Sequence, residues 1–294
     1  MNKITRGRRD RRAGSFGIEL LPYSLWSLLF IVVPLIFVAY YAFTNNSFGF
    51  TTENITKFFT ATSQVDGAEV HTYLLIFARS LKLAVISTII CFILGYPIAY
   101  IMATAGDKAQ KIMLILIMIP MWMNFLIRTY AWMTILQDTG ILNGLLGLIG
   151  IRPLHIIGTE TAVIIGMVYD YLPYMVLPIY SIMAKMDYKL IEAAKDLGCN
   201  NFAVLRRVIF PLSLPGVLSG ITMVLIPSIS TFYISQKLGS GKFFLIGDAI
   251  EGQFTANNLH FAAAIAFILM IVLLICMAVM KHFTNKAVYG GGKR

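Results

Sequence analysis

The chain has 294 residues, of which 58% are apolar and only 13% charged, where a soluble domain carries about 25% charged residues. Mean hydropathy is +0.76. This composition excludes a soluble globular enzyme and a disordered chain. Three cysteines (Cys91, Cys199, Cys276) without CxxC or Cys/His spacing exclude a disulfide scaffold and a structural zinc site. The net charge of +10 raises nucleic acid as a partner, a question that the placement of the charges decides.

A helix crossing a bilayer needs about 20 mostly apolar residues. In chain order, the windows that qualify run over 21–43, 81–103, 112–136, 161–184, 214–234 and 260–280. Backbone groups in hydrocarbon must be paired within the segment, so these windows predict helices. None alternates with the short period of a barrel strand. The first window follows Arg6, Arg8, Arg9, Arg11 and Arg12. It is too long for the apolar region of a signal peptide and no cleavage site closes it, so it reads as an uncleaved span. Gly290 to Arg294 reads as a frayed tail.

Six spans put both termini on one side. That side carries 17 of the 24 lysines and arginines, in the tail 1–20, the loop with Lys108 and Lys111, the segment 185–213 and the tail 281–294. The positive-inside rule makes it cytoplasmic. The basic excess is thus a topology signal and an attraction to anionic headgroups, and nucleic acid is excluded as the partner.

Catalytic motifs do not assemble. Gly239-Ser-Gly-Lys242 lacks the leading glycine of a phosphate-binding loop and is followed by Phe243, so it reads as a turn. The four histidines are scattered. The chain reads as a non-enzyme with no metal and no bound cofactor, and any ATP it depends on is hydrolysed by another chain.

The cytoplasmic segment 187–211 carries the most information. Asp187 is a candidate N-cap. Ala193 and Ala194 favour helix and present a slim face. Gly198 suits the left-handed position that stops a helix. Asn200 or Asn201 then caps a second short helix, which Pro211 is predicted to end. Two short helices meeting at a glycine corner suit insertion into a partner's groove, or form an ordinary amphipathic connector.

Glu192-Ala193-Ala194, three residues, Gly198, then Val208-Ile209-Phe210-Pro211 resembles the EAA loop of the permease subunits of type I ABC importers. The stretches 119–130, 171–180, 225–234 and 243–250 resemble the polyamine branch, the permeases of bacterial spermidine/putrescine importers, over roughly residues 20–282. The resemblance implies an all-α integral membrane protein of the bacterial inner membrane, with a flanking helix at 21–43 and a five-helix core within 81–280. It implies polyamine uptake by alternating access. It also implies a sister permease, two ATPase subunits that hold ATP and Mg, and an extracytoplasmic substrate-binding protein. Glu192, Ala193, Ala194, Gly198 and Pro211 would form the loop that docks into an ATPase cleft. The same architecture serving another organic cation, an amino acid or thiamine remains open, as does an ATP-independent channel.

Candidate pathway residues lie on the spans. Asp170 stands about 13 Å below the outer edge of its helix, where a lone carboxylate is costly. It either faces a wet path and meets a polycation, or pairs with Arg128. Tyr169, Tyr171, Tyr174, Trp122, Phe232 and Tyr233 offer π faces to ammonium groups or pack as ordinary aromatics. Pro227 marks a broken helix or a packing kink, with Ser228 and Ser230 placed to bond the freed carbonyls. Pro97 with Gly95 reads as a kink. Gly216 and Gly220 form a GxxxG for close helix approach, assigned to the sister permease.

Overall fold

The computed structural model describes residues 21–47, 49–65, 68–242 and 244–289. The basic tail 1–20, the tail end Gly290 to Arg294 and Phe243 lie outside the described residues. The elements are α1 (Leu21–Ala42), α2 (Glu53–Thr60), a hairpin of β1 (Thr62–Val65) and β2 (Ala68–His71), α3 (Thr72–Thr104), α4 (Asp107–Trp122) and α5 (Phe125–Leu136). Then follow α6 (Ile141–Leu148), α7 (Glu160–Met183), α8 (Tyr188–Asp196), α9 (Asn201–Ser230), α10 (Tyr233–Leu238), α11 (Ile246–Thr255) and α12 (Leu259–Tyr289). Among the described residues five helices, α1, α3, α7, α9 and α12, are each long and apolar enough to span a membrane.

The third window departs from expectation. It is not one helix: α4 and the run Phe125–Leu148, which opens with α5, are bent by 94° at the break. Two local signals cause this. Pro120 removes a backbone donor near the end of α4, and the Asn124 side chain accepts from Leu126 N at 2.8 Å, capping α5. Counting α4 with its continuation as one broken span gives six.

The fifth window also differs. Pro211 does not end a helix; α9 runs unbroken from Asn201 in the cytoplasmic segment to Ser230. A wide π turn at Leu205–Ile209 immediately precedes Pro211. Such a turn relieves the clash between the proline ring and the preceding turn. The same device occurs at Leu28–Val32 ahead of Pro34 in α1. Pro227 stays inside α9, with Ser228 Oγ donating to Val224 O at 2.6 Å and Ser230 Oγ near Ile226 O and Pro227 O at 3.4 Å each. The helix ends at Ser230, so Phe232 and Tyr233 lie beyond it and open a separate helix, α10.

The second span begins nine residues earlier than its apolar window, at Thr72. Between α1 and α3 sits a small module that hydropathy does not reveal. The hairpin pairs Thr62 with His71 and Val65 with Ala68, antiparallel. Phe58 of α2 is buried beside Ile76 of α3 and Phe261 of α12, and Lys57 Nζ lies 4.6 Å from the Phe261 ring centroid.

Helices α3, α7 and α9 form the packed centre, around Cys91, Met102, Met175, Ile179, Val217 and Val224. Small residues set their spacing. A Cβ on Gly216 would lie 2.9 Å from Pro178 O, and one on Gly220 would lie 3.0 Å from Met175 O. The GxxxG thus seats α9 against α7 of the same chain. The expected contact with a sister permease through these glycines is corrected accordingly, since the face is already filled. Gly95 packs against Met175 in the same way, within an α3 that runs continuously through Pro97. Helix α12 covers α9 on one side and α1 on the other.

At the extracytoplasmic end Asp248 locks α11 in place. Its Oδ2 accepts from Ser235 Oγ and from Leu245 N, both at 2.7 Å, and Ile246 N donates to Ser80 Oγ of α3. Burial pushes the Asp248 carboxyl up to about 6, while the bonds from Leu245 and Ser235 pull it down. A raised carboxylate pKa means that ionisation weighs against the folded state. The stability contributed by this group is full below pH 3.8 and is lost as pH rises through about 6. Melting temperature in detergent is therefore expected to fall more between pH 4 and 7 for the wild type than for Asp248→Asn. Parallel pH profiles would contradict this.

Candidate functional site: a cytoplasmic corner and an aromatic cluster

Two regions collect the candidate residues. The first is the cytoplasmic corner. Asp187 caps α8, its side chain accepting from Lys189 N at 3.0 Å. Asn200, rather than Asn201, caps the start of α9, accepting from Ala203 N at 2.8 Å. Between them Gly198 takes φ +84°. Gly198 N donates to Lys195 O at 2.8 Å and Cys199 N to Ala194 O at 3.1 Å, the bond pair of a Schellman stop. A Cβ at Gly198 would touch nothing within 4 Å. The glycine is required by the backbone, not by crowding.

The two alanines divide. Ala194 is buried with Ile179, Met183, Val204 and Ile209, which anchors α8 to the span bundle. Glu192 and Ala193 are exposed. Leu197, at the corner itself, is 86% exposed, and Phe202 also projects outward. Leu197 and Phe202 thus give the corner exposed apolar surface beside its charged residues. Pro211 sits on the exposed flank of α9, downstream of the corner.

The second region lies where the elbow between α4 and α5 meets α7 and α10. Arg128 Nη1 stands 3.1 Å from Asp170 Oδ1. Exposures of 9% and 4% make this a buried ion pair. Arg128 lies on α5, just beyond the bend of the third span, and Asp170 lies within α7. The geometry therefore pairs Asp170 with a resident cation.

The aromatic candidates separate into groups. Tyr171 is half-buried, and its hydroxyl donates to Pro227 O at 3.4 Å. Tyr174 stands beside it with ring centroids 6.5 Å apart, and is open on its other side. Tyr169 packs edge-on against Trp132 at 5.2 Å. Trp122, at the elbow, is 73% exposed and apart from the others. Tyr233 meets Phe125 at 5.8 Å and Tyr130 at 6.3 Å, and Phe232 is exposed next to it.

Three participants escaped the sequence reading: Phe125, Tyr130 and Lys237. The Lys237 ammonium lies 5.3 Å from the Tyr130 ring centroid and 5.5 Å from that of Tyr233. Phe125 joins this cation to the ion pair, since Arg128 Cζ is 5.9 Å from its ring. A continuous run thus extends from Lys237 through Tyr233, Phe125 and Arg128 to Asp170. Lys237 lies four residues after Tyr233 on α10, and that spacing is the one sequence signal that places them on a common face.

Residues 95–288 match the family described as "Binding-protein-dependent transport system inner membrane component". The chain is 37% identical over 270 residues to a spermidine/putrescine transport system permease protein of Haemophilus influenzae, covering 89% of this chain and 91% of that one. It is 40% identical over 204 residues to the corresponding protein of Escherichia coli K12, covering 68% and 74%. Among solved structures, a chain of a bacterial alginate ABC transporter in complex with its periplasmic protein superimposes with a TM-score of 0.77 at 15% identity. That match covers 95% of this chain and 96% of the other, and at such low identity it speaks for the fold alone. With its multiple apolar helices, its permease fold and relatives that match most of its length, the chain belongs to the family of inner membrane components of binding-protein-dependent transport systems, as a multi-pass ABC importer permease.

Proposed function

We propose that this chain is the permease subunit of an importer for polyamines, working with a sister permease, two ATPase subunits and an extracytoplasmic substrate-binding protein. The observation that carries the reading is similarity to spermidine/putrescine permeases along nearly the whole chain. The geometry supports it. The Tyr130–Tyr233 pair already holds an ammonium on an alkyl stem, that of Lys237, which is the chemistry of a polyamine end group. Tyr174, Phe232 and Trp122 are open aromatic surfaces that a sister permease would close into a path.

Energy comes from outside the chain. ATP and Mg are held by the ATPase subunits, whose closure is passed through the corner at Gly198 into α9. Because α9 runs as one helix from Asn201 to Ser230, a push at the corner is passed along it toward mid-membrane. Glu192, Ala193 and Leu197 supply the docking face.

The test is uptake of labelled spermidine and putrescine in cells lacking this chain and rescued with it. Rescue by the wild type, competed by unlabelled polyamine, is the expected result. Uptake of an amino acid or thiamine instead, with polyamines failing to compete, would remove the polyamine assignment.

A further inference from the structure

Helices α9 and α12 pack together around Ile229, Ile265 and Leu269, and nearer the cytoplasmic end residues of both line a groove. The groove between the two spans has a volume of about 380 Å³. Its walls include Ser219 and Met223 on α9 and Met277 and Met280 on α12. Methionine is the side chain that adapts best to a flexible apolar occupant. Two threonines in the wall are not polar toward the groove. Thr222 Oγ1 donates to Leu218 O at 2.8 Å and Thr284 Oγ1 to Met280 O at 2.9 Å, within their own helices.

The polar end is different. Lys281 and Asn285 line the cytoplasmic mouth, one helical turn apart on one face. Both are exposed, and neither has a hydrogen bond or ion pair among the described residues. Lys281 follows the last residue of the apolar window ending at Met280, which sets it at headgroup level. The groove is also open sideways, with Met223 53% exposed. An apolar slot opening to the bilayer, with a cation at the headgroup depth of the basic face, matches the charge and shape of an anionic lipid.

We propose that the groove between α9 and α12 binds one anionic phospholipid of the inner leaflet. Its acyl chain lies along Met223, Met277 and Met280, and its phosphate meets the Lys281 ammonium and the Asn285 amide. The site lies on the helix that carries motion from the cytoplasmic corner, so its occupancy bears on how α9 moves against α12. This inference is independent of the substrate assignment, since it rests on the groove alone.

The test is native mass spectrometry of the full-length chain in its membrane complex, relipidated with phosphatidylglycerol or with phosphatidylcholine of the same acyl chains. The wild type is expected to retain phosphatidylglycerol at least fivefold more than phosphatidylcholine. Lys281→Gln combined with Asn285→Ala should abolish that preference. Met223→Trp, which fills the apolar part, should lower retention of both lipids, while Lys286→Gln, outside the groove lining, should behave as wild type. Equal retention of the two lipids by the wild type, or a preference that survives Lys281→Gln with Asn285→Ala, would overturn the proposal. So would a Met223→Trp variant that keeps its lipid but loses another subunit, because the groove would then hold protein.

Discussion

Replacing Gly198 by Val is expected to reduce polyamine uptake by about 5–30-fold, while leaving the chain in the membrane. Gly198 has φ +84°, a region that costs a residue bearing a Cβ roughly 1–2 kcal/mol and a β-branched one more. A shift of that size changes the ratio of native to distorted corner by about 5–30-fold. The α8 stop depends on that corner, because the Gly198 N and Cys199 N bonds to Lys195 O and Ala194 O form only there. Gly198→Asn separates backbone from bulk. Asparagine tolerates the left-handed region, and its Cβ would meet nothing within 4 Å. Uptake by Gly198→Asn is therefore expected to stay within a few-fold of the wild type. Equal loss in the Val and Asn variants would mean that the docking surface tolerates no side chain there, and the backbone account would fail.

The Arg128–Asp170 pair carries the second large effect. Both groups are buried, so removing one partner strands the other charge in the apolar interior. Arg128→Met or Asp170→Leu alone should cost about 3–5 kcal/mol, lowering the melting temperature in detergent by roughly 10 °C. The double variant should recover most of that loss, since an apolar pair of similar volume replaces a buried ion pair at little cost. Single variants that melt like the wild type would show that both groups are wetted, as a transport path requires. A double variant with native stability but no uptake would assign the pair to transport rather than to folding.

The spans with simple packing were legible from hydropathy alone. Windows at 21–43 and 161–184 coincide closely with α1 and α7, and the window at 260–280 lies within α12, which runs on to Tyr289, because a long apolar run has no other stable state in a bilayer. Legibility fails where a local signal competes with hydropathy. Asn124 caps α5 in the middle of an apolar window, and averaging over some 20 residues hides one asparagine. Pro211 misleads in the opposite sense. A proline reads as a stop, yet the π turn at Leu205–Ile209 absorbs it, and no residue type announces a π turn. The hairpin between α1 and α3 is short and half polar; Asp66-Gly67 between its strands was its one clear signal.

The site shows the same division. The cytoplasmic corner was legible because its chemistry is local: an N-cap, a glycine stop and a second N-cap within fourteen residues. The aromatic cluster was legible only in part. Tyr233 was visible as an aromatic, but Tyr130 and Lys237 join it through the 94° elbow and the separate helix α10, and neither turn is written in hydropathy. Gly216 and Gly220 were correctly read as a close approach and assigned to the wrong partner. GxxxG specifies that a backbone comes near and says nothing of whose backbone it is.

The proposed polyamine path is driven through the glycine corner at Gly198. Uptake of labelled spermidine by proteoliposomes of the assembled complex, with and without internal ATP, tests that claim most directly when run on wild type, Gly198→Asn and Gly198→Val. ATP-dependent uptake in the first two, with ATP hydrolysis in Gly198→Val uncoupled from a strongly reduced uptake, is the result expected. Spermidine entry without ATP, or entry in Gly198→Val equal to that of the wild type, would contradict it.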